Sequence, residues 1–120
     1  MKLRYIELLG NKYPLCFSLS ATEELCDIFG DLDGMSKALT DKNTGKQIKA
    51  INAVLEILIR AGQNYCKVAG IDTPPPLDCK PGDVMDISDP EAIKAIFEAI
   101  SGDNEREVEA TPKNAKPTQE

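Results

Sequence analysis

Residues 44–69 restrict what this chain can fold into more than any other stretch. The polar positions Lys49, Asn52, Glu56, Arg60, Gln63 and Lys67 step by three or four residues. On a helix they form one narrow stripe. Most other positions between Ile48 and Val68 are apolar: Ile51, Val54, Leu55, Ile57, Leu58, Ile59, Ala61, Tyr65 and Cys66. A helix apolar over most of its circumference must be enclosed by the rest of its own chain. Gly70 is placed to stop it. Glu56 and Arg60, four apart in the favourable order, predict a surface ion pair of about 0.3–0.5 kcal/mol.

The enclosing segments are legible on either side. Residues 2–9 and 12–19 read as two strands around Gly10-Asn11, a favoured turn pair. In the second strand Tyr13, Leu15, Phe17 and Leu19 share one face, while Lys12, Pro14, Cys16 and Ser18 share the other. A turn centred on Gly10-Asn11 pairs Leu8 with Tyr13, Ile6 with Leu15 and Arg4 with Phe17. That puts Ile6 and Leu8 on the core side. A two-residue loop there would set Pro14 in a hydrogen-bonded pair that proline cannot complete, so a four-residue loop, Leu9 to Lys12, is expected. Ser20 and Glu23 have capping-box spacing ahead of a helix that turns Leu25, Ile28 and Phe29 inward and ends at Gly30. A short helix or turn through Asp33–Leu39 presents Met35 and Leu39 at i, i+4.

Thr73-Pro74-Pro75-Pro76 through Pro81-Gly82 reads as a stiff, extended connector. A last helix follows, with Asp89 as N-cap, Pro90 at N1 and Gly102 past its end. It carries Ile93, Ile96, Phe97 and Ile100 on one face, and Glu91, Lys94 and Glu98 towards water. From Asp103 on, only Val108 and small alanines are apolar, too little to offset the entropy of ordering. The predicted fold is therefore α+β and mostly helical: an N-terminal β-hairpin (2–19) packed on a bundle of about three to four helices (21–102) with a long central one. Residues 1–102 form a single folded domain, and 103–120 a disordered acidic tail.

Composition narrows the function. In 120 residues there are 14 basic and 20 acidic side chains, a net charge of −6. That argues against a surface built to neutralise phosphates. There is no histidine, which removes the usual general base, the commonest zinc ligand and the Ser/His and Cys/His dyads together. Cys16, Cys26, Cys66 and Cys79 lie far apart, as expected of free thiols in a reducing compartment. No secretion signal or membrane span is read in the sequence, so the expected location is the cytoplasm. Thr44-Gly45-Lys46-Gln47 lacks both the upstream glycine, where Thr40 stands, and the hydroxyl after the lysine that a phosphate loop needs. Asp31-Leu32-Asp33-Gly34 has its glycine too early for a calcium loop, and Lys42 stands where the bidentate glutamate belongs. Asp83, Asp86 and Asp89 read as loop and cap residues. No catalytic, cofactor-binding or metal-ligating set is predicted, and no cofactor.

Several segments resemble the tail assembly chaperones of long-tailed, siphovirus-type phages and prophages of Gram-positive bacteria. They are Met1-Lys2-Leu3-Arg4-Tyr5-Ile6-Glu7-Leu8-Leu9-Gly10, then Tyr13-Pro14-Leu15-Cys16-Phe17-Ser18, and Ala21-Thr22-Glu23-Glu24 leading into Phe29-Gly30. Ile57-Leu58-Ile59-Arg60-Ala61-Gly62 is similar too, as are the Asp89-Pro90 helix ending Phe97-Glu98-Ala99-Ile100, Glu105-Arg106-Glu107-Val108-Glu109 and Lys113-Asn114-Ala115. The resemblance implies a non-enzymatic assembly factor that binds the tape measure protein, and in some accounts tail tube subunits, inside the host cell. It also implies absence from the mature virion. The family often makes a longer second product by ribosomal frameshifting, and this chain matches the short one. The resemblance carries over no catalytic residue. Two alternatives stay open: a structural virion component, such as a small tail or head-completion protein, and a host-type adaptor or regulator. The candidate partner surface is the outer hairpin face, where the expected register leaves Tyr5, Leu9 and Cys16 outside the core.

Overall fold

The computed structural model describes residues 3–86, Pro90 and 92–100. The predicted tail at 103–120, the N-cap Asp89 and the start of the first strand at Lys2 lie outside the described residues. The predicted fold class holds: a two-stranded antiparallel hairpin stands beside four helices. The hairpin is β1 (Arg4–Leu8) and β2 (Asn11–Leu15); the helices are α1 (Leu19–Phe29), α2 (Leu32–Leu39), α3 (Thr44–Ala69) and α4 (92–100). No helix among the described residues is long and apolar enough to cross a membrane.

The central helix spans the residues expected of it. Asn43 caps its start, the side-chain oxygen accepting from the Lys46 amide at 3.0 Å, and Gly70 ends it in the left-handed conformation. Val54, Leu55, Leu58 and Cys66 are wholly buried along it. Around it close Ile6, Leu8, Tyr13 and Leu15 of the hairpin, Ala21 and Leu25 of α1, Met35 and Leu39 of α2, and Ala92, Ala95, Ile96 and Ala99 of α4.

The hairpin keeps the predicted faces but not the predicted register. The pairs are Arg4 with Leu15, Tyr5 with Pro14, Ile6 with Tyr13, Glu7 with Lys12 and Leu8 with Asn11. The loop is Leu9-Gly10, not the four residues Leu9 to Lys12. Both loop residues take positive φ, 53° at Leu9 and 79° at Gly10, the turn geometry that matches the twist of paired strands. The reason is Pro14. With Leu8 and Asn11 as the hydrogen-bonded pair that closes the loop, Tyr5 and Pro14 fall on a non-hydrogen-bonded pair. Moving the turn one residue towards the N-terminus thus solves the proline problem without lengthening the loop. The cost is a leucine in the left-handed region. Because the slip is two residues in pairing, side-chain parity is unchanged, and Ile6, Leu8, Tyr13 and Leu15 stay inward.

Beyond Leu15 the chain leaves β1. The Cys16 amide donates to the Leu58 carbonyl of α3 at 3.1 Å. Ser18, not Ser20, caps α1: its hydroxyl oxygen accepts from the Ala21 amide at 3.1 Å. The earlier turn into helix leaves Leu19, expected in the core, 88 % exposed. The inner face of α1 follows Ala21 and Leu25, so Ile28 sits on the rim and is largely exposed rather than inward. Met35 and Leu39 are buried as expected.

Gly62 explains how closely the hairpin approaches α3. A Cβ there would run into the Pro14 carbonyl oxygen. This close approach buries Pro14 and Cys16 completely, although the alternation of β2 assigns them to the outer face. One edge of β2 is covered by β1 and the other by a helix.

Candidate functional site

The polar stripe of α3 is not a water-facing line throughout. After Gly70 the chain turns back and runs along it. The Gln63 side-chain amide donates to the Pro74 carbonyl at 2.9 Å, and the Gly82 amide donates to the Asn52 Oδ1 at 2.6 Å. The two clips lie eleven residues apart on α3 and come in reverse order on the connector, which fixes the connector as an antiparallel strap. A Cβ at Gly82 would meet the Asn52 side-chain amide and force it aside, so glycine suits the second clip. Of the remaining stripe residues Lys49, Glu56, Arg60 and Lys67 are exposed. Arg60 pairs with Glu24 of α1 rather than with Glu56 as predicted, tying α1 to α3 across the surface.

The strap ends in a short 3₁₀ turn, Pro81–Val84, over the N-terminal half of α3. Helix α4 follows, docked through Ile96 and three alanines whose small side chains allow close approach. Ile93, Phe97 and Ile100, expected to be buried with Ile96, are only half-buried beside that face. An open groove of ≈ 690 Å³ remains between the three elements. Ile48, Ile51 and Leu55 of α3 line it, with Met85 after the 3₁₀ turn, and Ala92 and Ile93 of α4. Among the described residues its polar margin holds Gln47, Asn52, Asp86 and Lys94, one acidic and one basic group. The volume falls in the range of ordinary ligand and side-chain pockets. A smaller hollow, ≈ 160 Å³, lies further along the strap between Glu56, Arg60 and Cys79.

The groove is apolar with a balanced rim, so its chemistry is that of a receptor for aliphatic side chains. No group of three or more potential metal ligands occurs among the described residues. None of the four cysteines is in a disulfide. Burial pushes the Cys66 thiol above its ordinary range, which makes it less reactive, and it lies in the core, not in either hollow.

The three residues predicted as a partner surface are not brought together. Tyr5 is 51 % and Leu9 70 % exposed, both on the hairpin, as expected. Cys16 is fully buried between the hairpin and α3 and is struck from any surface. The groove was not foreseen. Ile48, Ile51 and Ile93 carry the periodicity of core residues, and nothing in that periodicity marks which part of a buried face is left uncovered. The one available sign was Gly82 in the proline-rich connector, a position where backbone approaches another element closely. The chain matches no protein-family model, no curated protein and no solved structure.

Proposed function

We propose that this chain is a non-enzymatic tail assembly chaperone, and that the groove between α3, the 3₁₀ turn and α4 receives an apolar helical stripe of the tape measure protein. The observation that carries the reading is an apolar trough of ≈ 690 Å³ opening beside the helix on which the molecule is built. An amphipathic helix places aliphatic side chains at i, i+3, i+4 and i+7, and a trough walled by two helices is the usual receptor for such a row. Sequestering that stripe keeps a long helical protein from aggregating before the tail is built. The sequence resemblance to tail assembly chaperones supplies the identity of the partner.

The test is co-expression with the tape measure protein of the same phage. The tape measure protein is expected to stay soluble and to co-purify. Moderate salt is expected to weaken the complex little, because contacts made by an apolar trough offer little for ions to screen. Ile48→Glu, at a groove residue already 37 % exposed, is expected to abolish capture while leaving the melting temperature close to that of the parent. Val68→Glu, at an exposed position near the far end of α3, is the control and should bind normally. Absence of capture at any salt concentration overturns the proposal. Retention of the chain in purified mature tails at stoichiometric level replaces it with a structural role.

A further inference from the structure

We propose that β1 is a self-association edge, and that two copies of this protein join their hairpins antiparallel into one four-stranded sheet. The inference rests on the register and is independent of the groove. In a hairpin closed by the Leu8–Asn11 pair, the amide and carbonyl groups of Arg4, Ile6 and Leu8 face β2, and those of Tyr5 and Glu7 face away. On the other side of the hairpin α3 closes most of the way: the Pro14 carbonyl lies against Gly62 and the Cys16 amide, just past β2, donates to Leu58, which leaves only Lys12 beside the loop facing outward. On β1 no backbone partner is found for Tyr5 or Glu7 among the described residues. Both residues are exposed. A flat row of such groups is a template for a further strand.

The sequence of β1 selects a copy of itself as that strand. Away-facing residues must pair with away-facing residues, so only three two-fold registers bring the strands together. Centred on Glu7, the register sets two carboxylates directly opposite each other, which is repulsive. Centred on Tyr5, it sets Tyr5 opposite itself and Glu7 opposite Leu3, a carboxylate against an apolar side chain. Centred on Ile6, it sets Tyr5 opposite Glu7 of the second copy, a phenol beside a carboxylate, and brings Leu9 level with Leu3 of the second copy. This register avoids the like charges of the Glu7-centred one, and it sets the carboxylate against a phenol and leucine against leucine where the Tyr5-centred one sets the carboxylate against leucine. It also gives a use to Leu9, which is 70 % exposed in a left-handed turn position that a leucine occupies at a cost. An isologous contact of this kind closes at two copies. One five-residue edge is small, so the association is weak and shows at high protein concentration.

The experiment is sedimentation velocity on the full chain over a wide concentration range, with amide exchange read at Tyr5 and Glu7. The expected result is a concentration-dependent dimer, with those two amides gaining protection as it forms. Tyr5→Glu places like charges opposite each other twice per dimer and is expected to weaken association roughly tenfold or more. Adding Glu7→Lys to that variant restores opposite charges and is expected to restore the dimer. A chain that stays monomeric at all concentrations overturns the proposal. So does a dimer that ignores Tyr5→Glu, or one in which the Tyr5 and Glu7 amides exchange as fast as in the monomer. The exchange measurement uses the unsubstituted chain, so it decides the matter even where a variant folds poorly.

Discussion

Glycine 62 and glycine 45 sit on the same helix and give opposite predictions. At Gly62 a methyl group meets the Pro14 backbone, which has no side chain to move aside. Gly62→Ala is therefore expected to destabilise by about 1–3 kcal/mol through overpacking. At Gly45, in the first turn, the nearest atom to a new Cβ is the Asn43 Oδ1 at 3.4 Å, and Gly45→Ala is expected to stabilise by up to about 1 kcal/mol. Urea denaturation of both variants checks the pair; equal effects would show that β2 does not press on α3 at this point. Cys66 gives a pH dependence. The folded chain holds the thiol proton to higher pH than the unfolded chain. This stabilisation is thus fully present below the ordinary thiol range and falls as pH rises through it, by at most about 1.4 kcal/mol per pH unit. The loss caused by Cys66→Ala should accordingly be smaller at pH about 9.5 than at about 7. A difference that does not change with pH would remove Cys66 from the alkaline limb. At this scale the sequence showed what each residue is but not its company. Arg60 was correctly placed on the surface, yet its partner is Glu24, thirty-six positions away.

Among the elements, α3 was the most readable, because a run of twenty-six residues repeats its periodic signal many times. The hairpin was readable in its faces and not in its register. Side-chain alternation has a period of two, so pairings that differ by two residues put the same side chains in the core. Only the joint demands of Pro14 and the loop decided between them. The polar stripe of α3 hid its partners for a different reason. A polar stripe predicts something that hydrogen-bonds, and water is merely the commonest choice. Asn52 and Gln63 instead hold the chain's own backbone. Removing one clip exchanges the Gly82 amide's acceptor for water, because the bond is exposed, at a cost of at most about 0.5–1.5 kcal/mol. Asn52→Ala is expected to increase proteolytic nicking within residues 71–86 more than it lowers the melting temperature. Equal protection of the strap in parent and variant would mean that the clip is incidental.

For the whole molecule, one core joins the hairpin and all four helices, and its last contribution comes from α4. Ile96 has no exposed surface. Ile96→Asp buries a carboxylate without a partner, several kcal/mol against a total stability of similar size, and should unfold the chain or nearly so. A melt within about two degrees of the parent would show that α4 is not part of the cooperative unit. The groove could not be read in advance at any smaller scale, because it is the space left between a helix, a turn and a second helix that no sequence window contains together.

The position of α3 along the chain also governs how the protein is born. Synthesis runs from the hairpin towards α4, so Ile6, Leu8, Tyr13 and Leu15 leave the ribosome well before the helix that covers β2 exists. A nascent chain that ends near residue 43 has its strands and first two helices but nothing to close them against. Closing the core must wait until α3 has been made, and the strap and α4 arrive later still. The native core of such a protein is completed only at the end of synthesis, and the apolar side chains of its hairpin lack their native cover until α3 has been made.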